Sequence, residues 1–169
     1  MKYETLDKVL EAIPFEGALA GGCVRDTIYG REVKDYDFYM IGGDFELRQV
    51  FERYPNHKVQ AKPDLIAAGY PLDFIMTVID TGEYIDGKEL QIMVVHSEQF
   101  NSLEEFVDLN FDFGICKVMY DERGVTELFD FKQDEQDHTI TYHPSKYNYF
   151  SQDHADRLVA KYPTRILRA

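Results

Sequence analysis

The sequence predicts an α+β fold in which helices flank a mixed or antiparallel twisted sheet. Two patterns carry that prediction. Amphipathic helical segments alternate with short strand-like runs, and the runs after about residue 56 follow one another as hairpins. No repeat, low-complexity tract or Pro/Gly-rich linker interrupts the chain, so its 169 residues are expected to form one domain, 1–169.

Residues 3–13 read as a helix because Leu6, Val9, Leu10 and Ile13 recur at i, i+3, i+4 and i+7, and Pro14 ends it. A short strand, Ala18-Leu19-Ala20, runs into Gly21-Gly22; a second helix starts near Cys23 and stops at Gly30. Asp35 to Met40 has strand composition, and residues 44–54 place Leu47, Val50, Phe51 and Tyr54 on one helical stripe. HKVQAK (57–62), LDFIMTVI (72–79) and ELQIMVVH (89–96) read as strands. SLEEFVDL (102–109) opens with a capping box, Ser102 at the N-cap and Glu105 three residues on. GICKVMYD, the turn DERG and VTELFD form a hairpin. The acid-rich FKQDEQDH (131–138) reads as a solvated turn with a short helix. A closing helix over 151–162 turns Ala155, Leu158, Val159 and Tyr162 to the core. The aromatic residues Phe38, Phe45, Phe51, Phe74, Phe106, Phe113 and Tyr120 are assigned to the core.

Lys and Arg number 18 against 31 Asp and Glu, a formal net charge of −13. Such a chain is repelled by a phosphate backbone, so RNA binding is not expected of it without a basic partner. A small anion held through metal ions remains compatible. No run is long and apolar enough for a bilayer, and no signal-peptide pattern opens the chain, so no membrane role is expected. Cys23 and Cys116 lie far apart with no CxxC spacing, which fits a reduced, cytoplasmic protein without a zinc motif.

The chemistry concentrates in ALAGGCVRDTIYGREVKDYDFYM, residues 18–40. Adjacent glycines between a strand and a helix let backbone N–H groups approach an anion, and the helix dipole points the same way. Arg25 stands one turn into that helix and can add a charge-assisted bond to phosphate. Alone, a Gly-Gly before a helix is a tight turn. Asp35 and Asp37 are i and i+2 of a strand and so share a face, as two carboxylates that bracket divalent cations must. A lone DxD is otherwise a solvated edge strand; here it follows an anion cradle at close spacing.

GGCVRD followed by G-x-x-x-KDYDF resembles the signature of the DNA polymerase β nucleotidyltransferase superfamily, in the version of class II tRNA nucleotidyltransferases and bacterial poly(A) polymerases. A second stretch, FDFGICKVMYDERGVTELFDFKQDEQDHTI, is similar to the strand, hairpin and following segment of those enzymes. The two matches together cover most of residues 16–142. The resemblance implies a nucleotidyltransferase-type sheet and an enzyme that moves a nucleoside monophosphate from an NTP to a hydroxyl acceptor and releases pyrophosphate. It implies Mg²⁺ in a two-metal site, with Asp35 and Asp37 as catalytic metal-binding carboxylates. Gly21 and Gly22 would cradle the triphosphate, Arg25 would support it, and Asp112 would stand in the ribose-contacting motif.

Departures from the family also set expectations. Phe111 and Cys116 replace an arginine and an asparagine of the second motif, and no tRNA-holding helical body is expected within these residues. The third carboxylate position is expected at Gln91, with Glu89 or Asp112 as the possible substitutes. His154, Arg157 and Lys161 form a cationic stripe on the last helix that could grip a triphosphate, and Lys34 adjoins the carboxylates; both features are also compatible with solvated surface. Two rivals stand beside the enzyme: a catalytically degraded nucleotide-binding or interaction module, and a toxin-type nucleotidyltransferase. The acceptor, a protein side chain, a small molecule or an RNA end, stays open.

Overall fold

The computed structural model describes residues 1–60, 75–96 and 98–169. Its main sheet has seven strands in the order β3-β4-β5-β2-β1-β6-β7. These are β1 (Ala18–Ala20), β2 (Tyr36–Gly42), β3 (Lys58–Val59), β4 (Met76–Ile85), β5 (Lys88–His96), β6 (Val118–Asp121) and β7 (Gly124–Glu127). Every neighbouring pair is antiparallel except β2 and β5, which run parallel from Tyr36↔Leu90 to Gly42↔His96. The α+β mixed sheet expected from the sequence is therefore present.

Helices cover both faces. α1 (Glu4–Ala12), α2 (Gly22–Ile28) and α3 (Asp44–Arg53) pack Leu6, Val9, Val24 and Val50 against Phe38, Met40, Ile92 and Val94. On the other face α4 (Leu103–Asn110) sets Phe106 and Val107 over Tyr39, Met93 and Val95. The split follows the strand period of two: even positions of β2 and β5 face α1 to α3, odd positions face α4. Ser102 caps α4 by accepting from the Glu105 N–H at 3.1 Å, as its spacing predicts. Among the described residues no helix is long and apolar enough to cross a membrane.

Two readings need correction. Phe45 is 69% exposed, because it lies on the side of α3 opposite the Leu47–Val50 stripe. Phe74, the end of HKVQAK and the start of LDFIMTVI lie outside the described residues. The acid-rich 131–138 segment holds the expected short helix, as part of α5 (Phe129–Asp137) with His138 as its C-cap, and is largely solvated, but Asp134 is 1% exposed. Its carboxylate accepts from the Ile115 N–H (3.0 Å), the Thr141 N–H (3.0 Å) and the Thr139 hydroxyl (2.7 Å). Asp134 thus ties α5 to a 3₁₀ turn (Gly114–Cys116) and to β8 (Thr139–Thr141). β8 pairs in parallel with β9 (Ile166–Arg168), which follows the last helix, α6 (Gln152–Lys161). A third core of Phe113, Ile115, Ile140, Ala155 and Leu158 lies beneath α6.

Asp134→Ala would strand three buried donors, so a loss of about 3 kcal/mol or more is expected, read as a melting midpoint lower by roughly 6–12 °C. Gly114→Ala should destabilise as well, since an added Cβ would fall 2.6 Å from both the Asp130 carbonyl and Asp134 Oδ2. Thermal melts of both variants check this; unchanged midpoints would mean Asp134 does not organise this region.

Candidate functional site

All ten site residues proposed from the sequence line one cleft of about 650 Å³. The α2 turn supplies Gly21, Gly22 and Arg25; the segment leading into β2 supplies Lys34 and Asp35, and β2 itself supplies Asp37. Asp112 comes from the segment after α4, and α6 supplies His154, Arg157 and Lys161. Gln91, Cys23 and Cys116 complete the floor and walls used below.

The turn works differently at its two glycines. Gly21 has φ 76°, and a Cβ there would meet the Phe111 ring at 3.2 Å, so only glycine fits. Its N–H is already donated to the Val118 carbonyl (3.0 Å), and its carbonyl accepts from Val24 and Arg25. Gly21 shapes the turn, and the open amides belong to Gly22 and Cys23, which begin α2 and have no intrahelical partner.

Arg25 is 4% exposed, more committed than the sequence implies. Its Nε donates to Asp26 Oδ1 (3.0 Å) and to the Tyr162 hydroxyl (3.1 Å), and its Nη1 to Cys116 Sγ (3.4 Å). Only Nη2 lies beside Gly22 at the cleft. Asp26, 2% exposed, also accepts from Tyr162 (2.6 Å) and Lys161 Nζ (3.1 Å). Burial opposes the Asp26 charge, yet Arg25 and these hydrogen bonds hold its carboxyl below the usual range. The Val-Arg-Asp segment therefore bolts α2 to α6, and this anchoring through Asp26 and Tyr162 carries no strong sequence signal.

Asp35 and Asp37 face the cleft together, as alternation requires. Asp37 Oδ1 is shut off from solvent and has no hydrogen-bond partner. Burial first, then the charges of Asp35 and Asp80, push its carboxyl up to about 7, with Lys34 pulling the other way. Parallel pairing sets Gln91 directly beside Asp37, so the register holds and Glu89 does not slip into the third position; Glu89 accepts instead from the Tyr84 hydroxyl at 3.1 Å. Asp80 is a carboxylate that sequence reasoning missed. It is the β4 partner of Gln91, a relation that only strand register reveals.

On the α6 side, His154 Nδ1 lies 2.7 Å from Asp112 Oδ2, and Asp112 Oδ1 accepts from the Phe113 N–H (2.9 Å). Asp112 is thus paired with His154. Burial works to lower the His154 pKa, but the hydrogen bonds to Asp112 and Cys116 and the Asp112 charge carry it up to about 10. Arg157 is exposed, and Lys161 is half-buried on Asp26. The wall opposite two carboxylates is cationic in a chain that is otherwise acidic.

Comparison with known proteins agrees with this architecture. The CCA-adding enzyme of Streptococcus suis (strain 05ZYH33) is 30% identical over 137 residues, which is 80% of this chain and 32% of that enzyme. The chain therefore spans about a third of the length of the curated relatives it matches. A solved CCA-adding enzyme in complex with ATP matches with a TM-score of 0.58 at 15% identity, covering 99% of this chain and 38% of that one. A tRNA-processing enzyme in an apo form matches with a TM-score of 0.56 at 20% identity, over 98% of this chain and 42% of that one. These likenesses show a fold shared with the solved CCA-adding and tRNA-processing enzymes. A family description, Gad2: Gabija anti-defense 2 family protein, matches residues 2–141, and this chain belongs to that family.

Proposed function

We propose that the cleft binds a nucleoside triphosphate with Mg²⁺ and transfers its nucleoside monophosphate to a hydroxyl acceptor, releasing pyrophosphate. The observation that carries this reading is Asp37 Oδ1: a buried carboxylate oxygen with no partner, beside a second carboxylate and across from a cationic wall. Leaving such a group unsatisfied is costly, and a hard cation with oxygen ligands fits it. Asp35 and Asp37 would hold Mg²⁺, which when bound neutralises charge on the phosphates and the reacting oxygens. The second cation of a two-metal site has a weaker seat, because Gln91 stands where an acid is expected.

The chain's own residues then act by positioning and charge. The Gly22 and Cys23 amides and Arg25 Nη2 meet the phosphate tail at the α2 turn, and His154, Arg157 and Lys161 add positive charge from α6. Asp112 fixes the His154 ring and borders the sugar end. Lys34 offsets part of the carboxylate repulsion. The family's name, Gabija anti-defense, supports a search for the acceptor among components of that defence, whether a protein side chain, a small molecule or an RNA end. The rival reading is a nucleotide-binding module without turnover, and Gln91 is the observation that favours it. Pyrophosphate release from MgNTP in the presence of candidate acceptors separates the two.

Asp35→Asn and Asp37→Asn should each abolish the Mg²⁺-dependent part of NTP binding, measured by titration calorimetry, while the circular dichroism spectrum stays that of wild type. Unchanged MgNTP binding in both variants would remove the carboxylates from the site.

The pH dependence has a definite sign. The Asp37 pKa is raised on folding to about 7, so the folded chain holds a proton that the unfolded chain has lost. The stability tied to it is full below the unfolded value near 3.8 and disappears as pH rises through about 7. Without metal, Asp37→Asn should therefore melt higher than wild type at about pH 8, by on the order of 2–8 °C, and gain little at about pH 4. Mg²⁺ competes with the same proton, so metal-dependent NTP affinity should rise from about pH 6 to about pH 8 in wild type.

A further inference from the structure

Gln91 does more than leave a gap where an acid is expected. Its Nε2 donates to Asp80 Oδ1 at 2.7 Å, and Gln60 Nε2 donates to the same oxygen at 2.9 Å. An ionised carboxylate only accepts, so it dictates which end of each amide it meets. With Nε2 committed to Asp80 on β4, the carbonyl oxygen is the end of the Gln91 amide left for the cleft that Gln91 lines with Asp35 and Asp37. Asp37, Gln91 and Asp80 form a row across three adjacent strands on one sheet face.

We infer that Gln91 is a neutral oxygen ligand for the divalent cation and that Asp80 is the positioning residue that fixes the orientation of its amide. This inference rests on the metal–nucleotide reading of the cleft and concerns how that site is completed. Spacing decides between Gln91 and Asp80 as the ligand. Adjacent strands lie about 4.8 Å apart, which places the Asp80 backbone about 9.6 Å from that of Asp37 and Gln91 halfway. Ligand oxygens around one Mg²⁺ lie about 2.1 Å from the ion, so they sit about 3 Å from one another, a reach that suits the nearer strand. Asp80 Oδ1 is in addition occupied by two amides. The site so built carries two carboxylates and one neutral oxygen, with the third negative charge one strand removed.

The test is Mn²⁺ binding, followed through the paramagnetic resonance signal of the free ion with a non-hydrolysable ATP analogue present. Gln91→Leu leaves the net charge unchanged and should weaken Mn²⁺ binding roughly tenfold or more. Asp80→Asn frees the Gln91 amide to turn and should weaken it several-fold in wild type. In the Gln91→Leu background the same change should have no further effect, because Asp80 acts through Gln91. The exchange Asp80→Asn with Gln91→Glu also keeps the net charge. It lets the new amide at position 80 donate to a carboxylate that now faces the cation, and should bind Mn²⁺ at least as tightly as wild type. Thermal melts confirm that each variant is folded. Gln91→Leu binding within twofold of wild type would overturn the assignment of Gln91. Equal losses from Asp80→Asn in both backgrounds would reduce Asp80 to a distant charge. A wild-type chain that binds no Mn²⁺ with the analogue would instead overturn the metal–nucleotide reading itself.

Discussion

Asp37 keeps a carboxylate oxygen out of water with nothing to hydrogen-bond it, and the surrounding structure makes that arrangement durable. β2 pairs with β5 in parallel and with β1 in antiparallel fashion, so the strand that carries Asp37 has a neighbour on each side and little freedom to relieve the repulsion from Asp35. The apolar residues of the same strand, Phe38 to Met40, are buried on both faces and fix its register. A position unfavourable for an isolated acid is thereby kept by the packing around it. Under the proposed function, a cation bound there would relieve this cost.

The opposite wall depends on a second set of buried charges, and these are fully paired. Asp26 gathers Arg25, Lys161 and Tyr162 into one network, and the Arg25 and Arg165 guanidiniums lie over the Tyr162 ring at 5.4 and 6.0 Å. Arg165 also donates to the carbonyls of Asp134 and Thr139 and to the Tyr29 hydroxyl. Asp134 anchors the 3₁₀ turn that carries Cys116. The C-terminal end of α6 is thereby joined to the rest of the fold, and near its other end His154 pairs with Asp112. Removing one partner from so connected a set leaves several others unsatisfied, the costly direction for buried charge.

Much of this was legible in the sequence. The helical stripes, the Ala18–Ala20 strand and the capping at Ser102 depend on local periodicity and local hydrogen bonding, and they appear within a residue or two of expectation. That these residues line one cleft was legible because glycines between a strand and a helix and aspartates two apart beside a strand fix where each lies on the fold. What the sequence hides is register and long-range pairing. Asp80 is not visible as a neighbour of Gln91 until β4 and β5 are aligned, and Asp134 looks like one acid among several until its three donors are seen. Arg25 reads as a free phosphate ligand because nothing local reveals that Tyr162, far along the chain, also holds it. Phe45 reads as core by composition alone, whereas its place on the helix turns it to water.

Under the proposed function, Asp35 and Asp37 hold a divalent cation that in turn holds a triphosphate at the Gly21-Gly22 turn. A crystal grown with Mn²⁺ and a non-hydrolysable NTP, measured at the manganese absorption edge, tests it most directly. The account requires an anomalous peak at about 2.1–2.2 Å from carboxylate oxygens of both aspartates, with the phosphate tail running toward the Gly22 and Cys23 amides. A nucleotide seated in the cleft with no cation at these two carboxylates, or a cation bound elsewhere with Asp37 Oδ1 still unpartnered, would contradict it.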